Sequence, residues 1–99
     1  MATSMERSAI ESPGHAEIEA RFEEEGLNPQ VWGNEPGYEY AWHSHAYHKV
    51  LYCVSGSIVF HTEDGDFDLE PGDRLDVEAG TGHSATVGPD GVQCMEAAR

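Results

Sequence analysis

The chain has 99 residues, and 19 acidic against five basic residues give it a formal net charge of -14. A chain of this length supports one domain with a modest core, and its charge repels nucleic-acid phosphates and anionic lipid headgroups. The first residues contain no apolar run of the length that a signal peptide or membrane helix requires. We therefore expect a single soluble, cytoplasmic domain that has neither a nucleic-acid nor a membrane partner.

The N-terminal part of the chain predicts an arm followed by one helix. Residues 1–14 are polar and are interrupted by Pro13 and Gly14, so we expect a flexible arm before a domain that spans residues 15–99. A helix is predicted over about residues 15–26, because Ile18 and Phe22 share one helical face and Gly26 stands where a C-terminal cap belongs. Such a short helix is not stable alone, so its apolar face should pack against a sheet.

After the helix, short segments rich in β-branched and aromatic residues alternate with Gly, Pro and Asp. About eight short strands with hairpin turns between them indicate a closed or nearly closed antiparallel barrel. The predicted strands are 30–32, 38–45, 49–55, 57–62, 67–70, 74–77, 84–87 and 92–96.

Three histidines are candidates for a common metal site. His43 and His45 are separated by one residue, so on a strand they point to the same face about 6.6 Å apart along the backbone. His83 follows a glycine-containing loop at the head of a later predicted strand, from which it can be aimed inward. Composition alone does not establish that the strands that carry them are neighbours.

Two spaced motifs resemble those of the cupins. In the first, Gly37 is followed after five residues by His43-Ser44-His45, after three more by Lys49 and after six more by Gly56. These intervals match the first cupin motif, in which a Glu occupies the position of Lys49.

The second motif lies about 16 residues further along the chain. Gly72 is followed by Glu78-Ala79-Gly80, then by His83 and then by Val87, and again every interval of the cupin pattern is kept. Two residue types differ from that pattern, because Glu78 replaces a Pro and Val87 replaces an Asn. The resemblance spans about residues 37–87.

The chain is thus similar to a small, single-domain cupin of bacterial or archaeal type, close to the cupin 2 kind. The resemblance implies an all-β fold, the antiparallel double-stranded β-helix or jelly-roll barrel, here with one short N-terminal helix. It also implies that His43, His45 and His83 are ligands of a divalent metal ion, which ligand type leaves open among Fe, Mn, Ni, Zn and Cu. Because cupins are often dimers, a homodimer is expected.

Lys49 is the main departure from the cupin pattern. An ammonium close to a divalent ion is electrostatically unfavourable, so Lys49 cannot simply replace the carboxylate ligand. Either it turns away from the ion, or the ion's field deprotonates it, or the pocket is metal-free and Lys49 faces an anionic ligand; it is also compatible with an exposed lysine at the barrel mouth. His48 is an alternative fourth ligand if a bulge shifts the strand register.

Strand parity makes further predictions about side-chain direction. The aromatic residues Tyr38, Tyr40 and Trp42 should lie on the outer face, covered by the helix or by a second subunit. Glu39 should share the inward face of His43, and Cys53 should be a core thiol. His15 and His61 fall outside both motifs and should be surface residues.

Three hypotheses of function remain. The first is a metal-dependent enzyme, dioxygenase-like or isomerase-like, that acts on a small organic substrate at open metal positions. The second is a non-catalytic sensor or binding protein with a metal-free pocket, in which Lys49 is the counter-charge of the ligand. In the third, the pocket is vestigial and the aromatic face mediates association.

Overall fold

The computed structural model describes residues 2–9 and 13–99. Within these ranges the chain forms seven strands and one helix, and every strand pair is antiparallel. This confirms the predicted all-β jelly-roll fold with one N-terminal helix. The elements are β1 (Thr3–Glu6), α1 (His15–Glu24), β2 (Gln30–Asn34), β3 (Glu39–His43), β4 (Lys49–Thr62), β5 (Gly65–Leu69), β6 (Arg74–Val77) and β7 (His83–Ala98).

The two long strands β4 and β7 form the spine of the barrel. They pair with each other from Lys49 opposite Ala98 to Thr62 opposite His83. The free edge of β4 pairs with β6 and then with β5, whereas that of β7 pairs with β2 and β3. The two halves of the barrel are therefore continuous through β4 and β7.

Two of the predicted turns do not end their strands. The predicted strands 49–55 and 57–62 are both part of β4, and 84–87 and 92–96 are both part of β7. The register between β4 and β7 shifts between Gly56 and Ile58, and Gly56 and Gly91 have φ angles of 73° and 77°. Because glycine adopts these left-handed conformations without steric cost, the chain bulges here and the pairing continues.

The core fills the barrel interior with side chains of alternating strand positions. Cys53 and Cys94 are directly opposed on β4 and β7, and both thiols are free and fully buried. The core thiol predicted at Cys53 is therefore confirmed. The other buried members of this core are Leu51, Ile58, Phe60, Leu69, Leu75, Val77, Ala85, Val87 and Val92.

Helix α1 covers the outer face of the β4 and β7 pair. Ile18 and Phe22 are fully buried against Val50, Tyr52 and Met95, which confirms the predicted packing of the helix on the sheet. The helix ends two residues earlier than predicted, and the following Gly26 has a φ of 72°, as expected of its capping role. Within the described residues, no helix is long and apolar enough to cross a membrane.

The N-terminal segment differs from the expected flexible arm. Residues Thr3–Glu6 form β1, which pairs with β6 and extends the sheet by one strand. The buried carboxylate of Asp73 accepts hydrogen bonds from the Arg7 guanidinium at 2.7 Å and from the Ser8 backbone N–H at 2.8 Å. These tertiary contacts order a segment whose local sequence has no strong strand signal. Residues 1 and 10–12 of the predicted arm lie outside the described residues.

Candidate metal centre

The fold brings the three predicted histidines together. His43 at the end of β3 is directly opposite His83 at the start of β7, and His45 follows two residues after His43. The potential ligand nitrogens of these three residues all lie within 4.8 Å of one another. Three histidines are thus positioned to bind one metal ion.

His45 reaches this cluster from a loop, and not from the strand predicted to continue to it. Strand β3 ends at His43, and its pairing with β7 shifts register between Tyr40 and His43. The carbonyl of His45 accepts a hydrogen bond from the Gly80 N–H at 2.7 Å. This bond ties the loop that carries His45 to the loop that precedes His83.

Hydrogen bonds at one ring nitrogen leave the other free to face the cluster. The Nδ1 of His43 lies 2.6 Å from the carbonyl oxygen of Ala41, and that of His83 lies 3.2 Å from the carbonyl oxygen of Thr81. Because a carbonyl only accepts, each Nδ1 carries the proton and each Nε2 keeps its lone pair. This is the arrangement in which histidines ligate metals through Nε2.

Two of these Nε2 atoms are buried. The Nε2 atoms of His45 and His83 are buried, and neither has a hydrogen-bond partner among the described residues. A buried polar atom without a partner costs roughly 1 to 3 kcal/mol, so such atoms call for a physical explanation. Coordination of a metal ion satisfies both nitrogens, and the donor set of three imidazoles suits a divalent transition metal.

Burial keeps two of the three histidines neutral. Burial lowers the pKa of His83 to about 4; the Thr81 carbonyl opposes this shift, and the charge of Lys49 reinforces it. Burial also lowers the pKa of His45, with further contributions from Lys49 and His43. Neutral imidazoles are the form that binds a metal, so no proton has to be displaced at pH 7.

The histidine cluster opens on a cavity of about 370 Å³. Lys49 lies in the wall of this cavity with a side chain only 7% exposed, so it is not the exposed barrel-mouth lysine that the sequence left possible. Its Nζ lies 3.2 Å from Oε1 of Glu96. The remaining lining residues are Trp32, Gly33, Asn34, Tyr40, Phe60 and Ala85.

Glu96 is the cavity residue that the sequence analysis missed. Its Oε1 also accepts a 2.6 Å hydrogen bond from the indole N–H of Trp32, so it links Trp32 to Lys49. The alternation of side chains along β7 could have indicated that Glu96 points inward, because it is two residues beyond the buried Cys94 and shares its face. That Lys49 is its partner depended on the register between β4 and β7.

The structure also decides three other predictions about residues of the first motif. His48 does not join the cluster, because its Nε2 lies 3.1 Å from Oδ1 of Asp76. Tyr40 lines the cavity and Glu39 is exposed, so the predictions for both were wrong. The register shift after Tyr40 reverses the parity counted back from His43.

The other two aromatic residues of this segment are exposed to solvent. Tyr38 is 41% exposed and its ring contacts that of Tyr40, and Trp42 is 55% exposed. Helix α1 does not cover them, because its contacts are on β4 and β7.

Fold and site together define a jelly-roll barrel with a three-histidine cluster inside it. The family model named Cupin domain matches residues 30–92, more than half of the chain, so the chain belongs to the cupin family. No curated protein matches it.

Several solved structures share this fold. A RmlC-like cupin from Shewanella frigidimarina is 24% identical over 73% of this chain and 64% of its own, with a TM-score of 0.65. A chain of the DMSP lyases RdDddP and RnDddQII is 31% identical over 74% of this chain but 37% of its own, with a TM-score of 0.63. A salicylate 1,2-dioxygenase variant from Pseudoaminobacter salicylatoxidans in complex with gentisate is 17% identical over 73% and 20%, with a TM-score of 0.66. This chain thus covers 37% of the DMSP lyase chain and 20% of the dioxygenase chain.

Proposed function

We propose that the protein binds a divalent metal ion through Nε2 of His43, His45 and His83 and acts on a small organic substrate in the adjacent cavity. One observation carries this proposal. The buried Nε2 atoms of His45 and His83 face a shared site and have no partner among the described residues. A metal ion bound between them would satisfy both nitrogens.

Each part of the site has a role in this proposal. A metal held by three protein nitrogens keeps open positions, where it polarises a bound substrate or activates oxygen. The carbonyls of Ala41 and Thr81 orient the rings of His43 and His83 through Nδ1, burial keeps His83 neutral, and the cavity walls enclose the substrate. The similarity to a DMSP lyase chain and the fold shared with a salicylate dioxygenase support an enzyme, and we propose a dioxygenase-like or isomerase-like reaction. Fe, Mn, Ni, Zn and Cu all remain candidates.

A second candidate is a non-catalytic small-molecule sensor with a metal-free pocket. The observation in its favour is the buried ion pair of Lys49 and Glu96, which places an ammonium in the wall of the cavity that the histidines share. That ammonium repels a metal cation and attracts an anionic ligand.

Metal analysis of the purified protein decides between the two candidates. After reconstitution with iron, manganese, nickel, zinc or copper, we expect about one equivalent of metal per chain in the wild type and loss of it in His45→Ala. His15→Ala removes an exposed histidine at the start of α1 and should retain the metal. Wild-type protein that stays metal-free with all five metals would contradict the metal proposal.

Turnover is tested separately from binding. Metal-loaded protein is incubated with DMSP, salicylate or gentisate, the compounds named for the related structures, and the mixtures are followed by proton NMR. Conversion by the wild type but not by His45→Ala supports an enzyme, whereas binding without conversion supports a sensor. The homodimer and the cytoplasmic location stay predictions, the former to be measured by light scattering.

A further inference from the structure

The Lys49 ammonium lies in the cavity wall and has more N–H donors than its ion pair with Glu96 uses. Its side chain is nearly buried, and its Nζ makes one ion pair among the described residues, with Glu96. The Nζ also lies 5.9 Å from the ring centre of Trp32 and 5.8 Å from that of Phe60, within the range of cation–π attraction. Since an ammonium has three N–H donors, Lys49 keeps donors for a ligand while Glu96 takes one.

Glu96 and Trp32 fix where that ammonium lies. The indole N–H of Trp32 donates to the same carboxylate oxygen that faces Lys49, so Glu96 is held from one side and holds Lys49 on the other. Glu96 lies opposite Gln30 on β2 and opposite Leu51 on β4, so strands anchor it on both sides. A group on rigid strands is positioned more precisely than one on a loop.

The charges in the cavity favour an anion. Among the described residues that line it, Lys49 is the one basic residue besides the histidines and Glu96 is the one carboxylate. The ion pair cancels itself, so a divalent metal leaves the cavity about two charges positive. The chain as a whole carries -14, so this cavity is an exception within a surface that repels anions.

We propose that the cavity selects a small organic carboxylate and that Lys49 binds this carboxylate. Glu96 and Trp32 are positioning residues, because they hold Lys49 in place. The proposal rests on the function proposed above and names the substrate class of the same site. The carboxylate of the ligand competes with Glu96 for an ion pair with the Lys49 ammonium. A neutral analogue of the same size cannot form that ion pair.

Calorimetric titration with pyruvate and its neutral analogue pyruvamide tests the proposal on zinc-loaded and on EDTA-treated protein. We expect wild-type protein to prefer pyruvate by at least about tenfold. Lys49→Met should lose that preference in the EDTA-treated form, and in the zinc-loaded form it should show a smaller preference than the wild type, because the charge of the metal still attracts the anion. Lys49→Arg keeps the positive charge and should keep the preference, which a merely structural role of the lysine does not predict. Lys49→Gln, which retains a donor toward Glu96, is the second neutral variant if Lys49→Met does not fold.

The positioning carboxylate gives an independent readout. Glu96→Gln keeps an oxygen that accepts from Trp32 and Lys49 but removes the competing charge, so pyruvate should bind more tightly while pyruvamide is unchanged. Equal pyruvate affinity in wild type and in the neutral Lys49 variants would overturn the proposal, as would equal affinity for pyruvate and pyruvamide in the wild type. Zinc content is measured on the same samples, so a failure to hold metal is seen separately from a failure to select the anion.

Discussion

His83 is the residue in which burial and chemistry are most closely linked. It is 1% exposed, and at the first position of β7 it faces both the core residue Phe60, at a ring separation of 6.2 Å, and His43, at 4.4 Å. Water cannot solvate its imidazolium form there, so folding favours the neutral ring. The same burial that prepares the ring for a metal should make the metal-free protein sensitive to acid.

We expect the free energy of unfolding of EDTA-treated protein to fall as the pH is lowered from about 6.5 to about 4. In this window the unfolded chain binds a proton at His83 that the folded chain does not, because folding lowers the pKa of His83 to about 4. A shift of this size contributes about 3 kcal/mol. Urea unfolding at several pH values measures it.

The matched control for this prediction is His83→Gln, which cannot titrate in that window. Paired carboxylates such as Asp76, whose pKa is lowered by hydrogen bonds from Arg74 and His48 despite the opposing effect of burial, add the same acid dependence to both proteins. The difference between the two pH profiles therefore isolates His83. Parallel profiles for wild type and variant would contradict the prediction.

Lys49 shows how far residue-level reasoning from the sequence could go. The motif spacing placed it at the metal-ligand position of the cupin pattern, and the structure finds it in the wall of the same cavity as the histidines. Its partner Glu96 is 47 residues away in the chain, on a strand whose register with β4 contains two shifts. No local pattern gives such a register, so the pair could not be predicted.

At the scale of the elements, bulges account for most of the differences between prediction and structure. Alternation correctly predicted the inward face of Cys53 on the regular part of β4, where Leu51 also lies in the core. It failed for Tyr40, because the pairing of β3 with β7 shifts register between Tyr40 and His43. Regular alternation therefore does not continue from one residue to the other. Gly56 suggested the end of a strand but instead marks a bulge within β4.

The contact of α1 with the outer face of β4 makes a stability prediction. Phe22 is fully buried, and its ring meets that of Tyr52 edge-on at 5.3 Å. Phe22→Ala should therefore lower the free energy of unfolding by about 3 to 5 kcal/mol in urea unfolding. Glu19→Ala, on the exposed face of the same helix, should leave it within about 0.5 kcal/mol. A loss below 1 kcal/mol for Phe22→Ala would show that α1 does not cover the sheet.

The attachment of β1 makes a second prediction at this scale. The Asp73 carboxylate accepts hydrogen bonds from the Arg7 guanidinium and the Ser8 N–H, so Asp73→Ala removes two bonds that hold the N-terminal segment. It also removes a bond from the Glu70 N–H within the turn that contains Asp73. We expect trypsin to cleave after Arg7 faster in this variant than in the wild type, because local release of the segment exposes the bond. Asp68→Ala, an exposed carboxylate on β5, is the control. Equal cleavage rates in all three proteins would mean that β1 is not held by Asp73.

On the scale of the whole molecule, two motifs define the fold because they meet in space. Gly37, the first residue of one motif, donates its N–H to the carbonyl of Val87, the last residue of the other, at 3.1 Å. The residue spacings of two motifs far apart in the chain thus predicted one cluster of histidines. Strand β1 and the continuous paths of β4 and β7 could not be predicted, because they depend on tertiary contacts.

X-ray absorption spectroscopy of the metal-reconstituted wild-type protein tests the central claim most directly. We expect a first coordination shell that contains three imidazole nitrogens, and we expect the histidine scattering to be lost in His45→Ala. A shell of oxygen atoms alone, or one that includes sulfur from Cys53 or Cys94, would contradict a metal site formed by His43, His45 and His83.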